Sequence, residues 1–131
     1  MNKITTSINE FQLDAQGILH VKILDDVEIT LEKVKEDYET VVNHFGNRKF
    51  LVLADSQNSF SITTEAREYS QQEVIDKFHI ATAVVGNNEV SSIIINLLAR
   101  INRPSTPFKM FADKQKATEW LLQQAEQNQE V

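Results

Sequence analysis

Cysteine is missing from this chain of 131 residues. Its absence excludes disulfides, thiolate metal sites and a cysteine nucleophile, and it suits a reducing compartment. Basic charge is in short supply: 13 Lys and Arg stand against 19 Asp and Glu, for a net charge of -6. A nucleic-acid binder needs a positive footprint to neutralise phosphate, and a negative domain is pushed off anionic membranes. The one basic cluster, Arg100, Arg103 and Lys109, reads as a solvated helix end rather than an anion-binding patch. Long apolar runs are also lacking. Ile93 to Ile95 and Leu97 to Ala99 are broken by Asn96 and fall far short of a bilayer's thickness. The opening MNKITTSINEF has no apolar core of the kind a signal peptide needs. A cytoplasmic protein, with neither nucleic acid nor membrane as partner, is the expectation.

Catalytic signatures are missing as well. His20, His44 and His79 have no partner at ligand spacing and read as surface or hydrogen-bonded structural histidines. Gly86-Asn87-Asn88 lacks both the lysine of a P-loop and the GxGxxG of a dinucleotide site, and Ser91 and Ser92 follow no nucleophile elbow. No acid, base and nucleophile converge by spacing. The chain therefore reads as non-enzymatic, with no cofactor and no metal.

What is present is a strand-then-helix unit written four times. The strands are ILHVKIL from Ile18, FLVLA from Phe50, IATAVV from Ile80 and FKMF from Phe108; the helices start near Thr30, Thr64, Asn88 and Asp113. Such βα units predict a parallel sheet with right-handed crossovers. Ahead of them, Ile4 to Leu13 alternates weakly and Asp14 to Gly17 turns, so a hairpin should add an antiparallel edge strand. In the strand from Ile18, His20 and Lys22 oppose Leu19, Val21 and Ile23, which predicts one partly wet face.

Asp25 to Glu28 reads as a loop, Thr30 as an N-cap, and Leu31, Val34, Tyr38, Val41, Val42 and Phe45 as the core stripe of the first helix, which Gly46-Asn47 ends. FLVLA is apolar on both faces, the mark of a central strand. Asp55 to Thr64 is a polar stretch, and the following helix has only a weak stripe in Ala66, Tyr69 and Phe78. Val90, Ile94, Leu97 and Ile101 give the third helix its core face, and Pro104 and Pro107 close it. Asp113 caps the last helix, with Ala117, Trp120, Leu121 and Ala125 inward and a fraying tail from about residue 126. Residues 1–131 read as a single domain.

GILHVKILDDVEITLE from Gly17, ITTEAREY from Ile62 and PFKMFADKQKATEWL from Pro107 carry a likeness beyond this pattern. With that order of elements, the chain resembles the SpoIIAA-like fold, the STAS domain of anti-sigma-factor antagonists. More narrowly it is similar to small bacterial one-domain STAS/SEC14-like proteins of undefined role. The resemblance implies a (βα)4 superhelix: a mostly parallel five-stranded sheet, an antiparallel N-terminal edge strand and four helices. It further implies a regulatory loop before the second helix. The family's Asp, phosphorylated Ser, second Ser and Gly fall on Ile62, Thr63, Thr64 and Glu65, where only the hydroxyl character is kept and a plain helix N-cap explains the same residues without regulation.

Two readings of function follow. The first is a non-enzymatic regulatory or protein-interaction module acting on a protein partner, or on its own copy as a homodimer. Its docking loop would comprise Asp55, Ser56, Phe60, Ser61, Thr63 and Thr64, with Phe60 folded under as a plug or offered as an anchor. The alternative is a binder of a nucleotide or anion at the C-terminal ends of the strands, where ligands gather in open parallel sheets. Its rim would be Gly86, Asn87 and Asn88. Asp25, Asp26 and Asp55 stand nearby either as turn formers or as ligands for a hard cation.

Overall fold

The computed structural model describes residues 3–86 and 106–129. Its main sheet has six strands, joined edge to edge in the order that follows. β1 (Lys3–Thr5) and β2 (Asn9–Leu13) pair antiparallel, and β2 pairs antiparallel with β3 (Ile18–Ile23). β3, β5 (Phe50–Asp55), β7 (His79–Val85) and β8 (Phe108–Phe111) then run parallel, side by side. The four strands of the βα units are co-directional, as the sequence implies.

The sheet has six strands rather than the five expected. The extra strand comes from splitting Ile4 to Leu13 in two. Thr6 makes the break: its Oγ1 accepts the N–H of Asn9 at 3.1 Å, while its own N–H donates to the Asn9 carbonyl at 2.8 Å. This tight turn tucks Ile8 into the core. A second departure lies in the loops. β4 (Val27–Ile29) and β6 (Phe60–Ile62), both expected as irregular segments, form a separate two-stranded parallel sheet.

α1 (Leu31–Phe45) is capped as expected: Thr30 Oγ1 accepts from the Lys33 N–H, and Gly46, at φ 102°, lets the chain turn out. Gly17 likewise takes a positive φ of 85° in the hairpin turn. The second helix is three pieces. α2 (Thr64–Tyr69) passes through a π turn, Ser70–Val74, into α3 (Ile75–Phe78), and the Ile75 N–H bonds the Ser70 carbonyl five residues back. This extra residue per turn explains the weak stripe. Val74 and Ile75 are both buried, and Ile75, nine residues beyond Ala66, lies about half a turn out of step with it by ordinary helical spacing. α4 (Lys114–Gln129) runs past the expected start of the tail, and Asp113 accepts from the Gln115 N–H at its start. The third helix read from Asn88 lies outside the described residues.

The two faces of the sheet are covered differently. α4 lies on one, where Ala117 and Leu121 meet Ile18, Leu51, Leu53, Ala81, Ala83 and Val85. Trp120 is partly buried there against Phe111, ring centroids 5.7 Å apart. α1 and the α2–α3 segment lie on the other. Val41 packs on Phe11, Leu19, Phe50 and Val52, while Val34 packs with Ile8, Ile29, Ala66 and Val74.

Candidate functional site

The strand-end rim is built by pairing two βα loops. β4 and β6 align Val27 with Phe60, Glu28 with Ser61 and Ile29 with Ile62. Polar contacts extend the join. The Asp26 N–H donates to the Ser59 carbonyl at 2.6 Å, the Ser59 N–H to Asp25 Oδ1 at 3.0 Å, and Asn58 Nδ2 to the Ile23 carbonyl at 2.9 Å. Asp26 sits in the left-handed region at φ 55°, a conformation that aspartate tolerates better than most residues. The result is one ordered platform in place of two independent loops.

The docking residues inferred from sequence divide sharply on this platform. Ser56 is not available: it is 1 % exposed, and its hydroxyl donates to the Val85 carbonyl at 3.0 Å. Phe60 is half-buried, packed against the cluster of Ile8, Ile29, Val34, Ala66 and Val74. Thr63 is the N-cap of α2, accepting from the Ala66 N–H at 3.2 Å. Ser61 and Thr64 are exposed, together with Asp25, Asp26, Glu28 and Glu65. Asp55 is half-buried at the end of β5 and accepts the Gln57 N–H at 3.1 Å. Among the described residues no three His, Asp or Glu side chains gather to hold a metal ion, so Asp25, Asp26 and Asp55 do not form a cation cage. Gly86 is half-buried at the end of β7, and Asn87 and Asn88 lie outside the described residues.

Asp55 also borders a polar cleft of about 300 Å³ on the α4 side, shared with Glu10, Gln12, His20, Lys22 and Lys114. This is the wet face anticipated from the alternation in β3. His20 Nε2 lies 2.8 Å from Asp14 Oδ2. Burial acts upward on the Asp14 carboxyl, but His20 and the N–H groups of Ile18 and Gln16 outweigh it and hold the group below its ordinary value.

No local pattern in the sequence points to the cavity on the opposite face. It has a volume of about 240 Å³ between the sheet and the α1, α2 and α3 helices. Its walls are mostly apolar, including Phe11, Val41, Val52 and Ala54, and its polar border includes Asn9, Asp37, Arg67, Ser70, Gln71 and His79, with Tyr38 and Thr82. Asp37 is 4 % exposed. Burial raises its carboxyl above the ordinary value, against the opposing hydrogen bond from Asn9 Nδ2 at 2.7 Å. Burial likewise pushes the His79 imidazole down to about 3, which leaves it neutral near pH 7, with Nδ1 2.7 Å from Thr82 Oγ1. Three shielded polar atoms on this border have no hydrogen-bond partner in the protein: Asn9 Oδ1, Arg67 Nε and Gln71 Oε1. Orphaned buried polar atoms are rare in folded proteins. The π turn supplies Ser70 and Gln71, and such turns recur at functional sites.

The fold defined by these elements is the SpoIIAA-like α/β fold. A solved structure with that fold, an uncharacterized protein from the DUF3478 family of Shewanella loihica PV-4, superposes with a TM-score of 0.61 at 15% sequence identity, covering 90% of this chain and 98% of that one. At that identity the likeness establishes the fold alone. The chain itself belongs to the family described as "Domain of unknown function (DUF7793)", whose model matches residues 11–125. No curated protein matches. No helix among the described residues is long and apolar enough to cross a membrane.

Proposed function

We propose that the chain is a non-enzymatic regulatory or protein-interaction module of STAS type that docks a protein partner through the strand-end rim. The observation that carries this reading is the β4–β6 platform. Its backbone is held by ladder and cross-loop hydrogen bonds, while its outward side chains are left exposed. A preordered surface loses little conformational entropy on docking. Those outward side chains are acidic or hydroxylic: Asp25, Asp26, Glu28, Ser61, Thr64 and Glu65. They suit a partner with a basic face, which they would attract and orient at long range. Phe60 packs part of its ring against the core, so the reading rests on the polar rim rather than on an aromatic anchor.

The test is isolation of the protein from its native cell under gentle conditions, with intact mass and co-eluting proteins identified. The wild type is expected to retain a stoichiometric partner. Glu28→Lys combined with Glu65→Lys is expected to release it without changing the circular dichroism spectrum. A folded double variant that keeps its partner overturns the rim as the docking face. A wild type recovered as a bare monomer overturns the reading, and a self-complex would identify the partner as a second copy.

A further inference from the structure

The cavity under α1 and the π turn shares Ile29 and Ile62 with the inner side of the β4–β6 platform, away from its exposed acidic side chains, and its border has a definite chemical pattern. The unpartnered atoms are one donor, the Nε–H of Arg67, and two acceptors, Asn9 Oδ1 and Gln71 Oε1. The orientation of Asn9 is fixed because its Nδ2 donates to Asp37, so the oxygen is the atom left over. A carboxamide complements this set: its oxygen accepts from Arg67, and its two N–H groups are offered to Asn9 and Gln71. Asp37 and Arg67 also set an acidic and a basic group on the same border, and among the described residues neither has an ion-pair partner. A neutral guest leaves that balance alone, whereas a charged one would bring an extra ion into a mostly apolar site, at a large desolvation cost. The remaining walls are aliphatic or aromatic and favour an apolar body. The volume of 240 Å³ equals about eight water volumes, which limits the guest to roughly nine non-hydrogen atoms.

We propose that this cavity is a binding site for a small neutral molecule with an apolar body and a carboxamide-type edge. The π turn is what makes the site. Its extra residue sets Ser70 and Gln71 on the cavity border while Val74 and Ile75 remain buried.

The experiment titrates the full chain, labelled with ¹⁵N, with three probes of matched size: benzamide, acetophenone and benzoate. Amide chemical shifts report both affinity and location. Benzamide is expected to bind at sub-millimolar concentration and to shift the amides of Asn9, Asp37 and Gln71. Acetophenone lacks the two N–H donors and benzoate carries charge, so each is expected to bind at least tenfold more weakly. Gln71→Met removes one of the two acceptors and should weaken benzamide several-fold without weakening acetophenone. Val41→Phe fills the cavity and should abolish binding of all three; if it does not fold, Ala54→Val serves at smaller amplitude. Benzoate binding as tightly as benzamide overturns the proposal. So does full benzamide affinity in Gln71→Met or in a folded cavity-filling variant, or the absence of binding by every probe, which would mean a cavity holding solvent only.

Discussion

The two faces of the central strands are packed on different terms. On the α4 side, Ala81, Ala83 and Ala117 let helix and sheet approach until Leu121 is fully enclosed. On the α1 side the same strands, β5 and β7, turn Val52, Ala54 and Val84 toward a cavity bordered by a buried carboxyl, a neutral imidazole and three unpartnered polar atoms. β5 and β7 thus serve a close-packed layer and a loose polar one at once, through nothing more than alternation of side chains. One face holds the sheet together, and the other keeps room and polarity that close packing would remove.

The largest effect should therefore come from opening the tight face. Leu121→Ala is expected to cost about 3 to 4 kcal/mol, read as a lower urea midpoint, because rigid surroundings cannot collapse onto the gap. A sharper comparison enlarges one alanine on each face. Ala83 and Ala54 lie on neighbouring strands and point to opposite sides of the sheet. Ala83→Leu overpacks the α4 interface and should cost about 1 to 3 kcal/mol. Ala54→Leu extends into the cavity and should be neutral or stabilising. Equal losses for the two would show that the faces do not differ in packing.

The next effect is electrostatic and belongs to the cavity face. His79 has a folded value of about 3 against an ordinary 6.5. Between those limits the unfolded chain binds the proton and the folded chain does not. Stability is then complete above pH 6.5 and falls as the pH drops toward 3, by up to about 1.4 kcal/mol per pH unit. His79→Gln should remove that slope from a series of urea midpoints taken between pH 6.5 and 4. Asp14, held low on the other side, adds a loss of the same sign at more acidic pH. An unchanged slope in His79→Gln would mean that the imidazole is hydrated and that the cavity face is no drier than the polar cleft.

Much of the scaffold was legible because its signals are local. FLVLA announced a strand buried on both faces, the stripe from Leu31 to Phe45 announced α1, and Thr30, Thr63 and Asp113 mark helix starts by the hydrogen bonds their side chains accept. The short strands β4 and β6 were not, because three residues are too few to show alternation and their pairing joins segments more than thirty residues apart. The π turn left a trace in the five-residue gap from Tyr69 to Val74, which weakened the helical stripe instead of naming its cause. Ser56 looked like a free loop hydroxyl because only the neighbouring strand β7 supplies its acceptor. The cavity had no local signal at all: its border draws on residues from Ile8 to Phe108, and His79 becomes special only once the fold surrounds it.

Asp37 offers the smallest effect and the finest probe of the comparison, because it responds to pH in the opposite sense to His79. Its carboxyl is raised above the ordinary 3.8 by burial, so the folded chain holds the proton more tightly than the unfolded one. Stability contributed by that proton is present at acidic pH and is lost as the pH rises through the folded value. Above that value the ionised group is therefore a liability, supported by the amide of Asn9. Asp37→Asn keeps an oxygen to accept that hydrogen bond and removes the charge. It is expected to raise the melting temperature by a few degrees at pH 7 and by nothing at pH 3. The same substitution at Asp14, on the wet face, should do the reverse and lower it at pH 7, since that carboxylate is held by His20 and two backbone N–H groups. Opposite signs from two aspartates on opposite faces of one sheet would confirm that the cavity side is dry and the cleft side is not. Matching signs would remove the physical distinction on which the cavity's selectivity for a neutral guest depends.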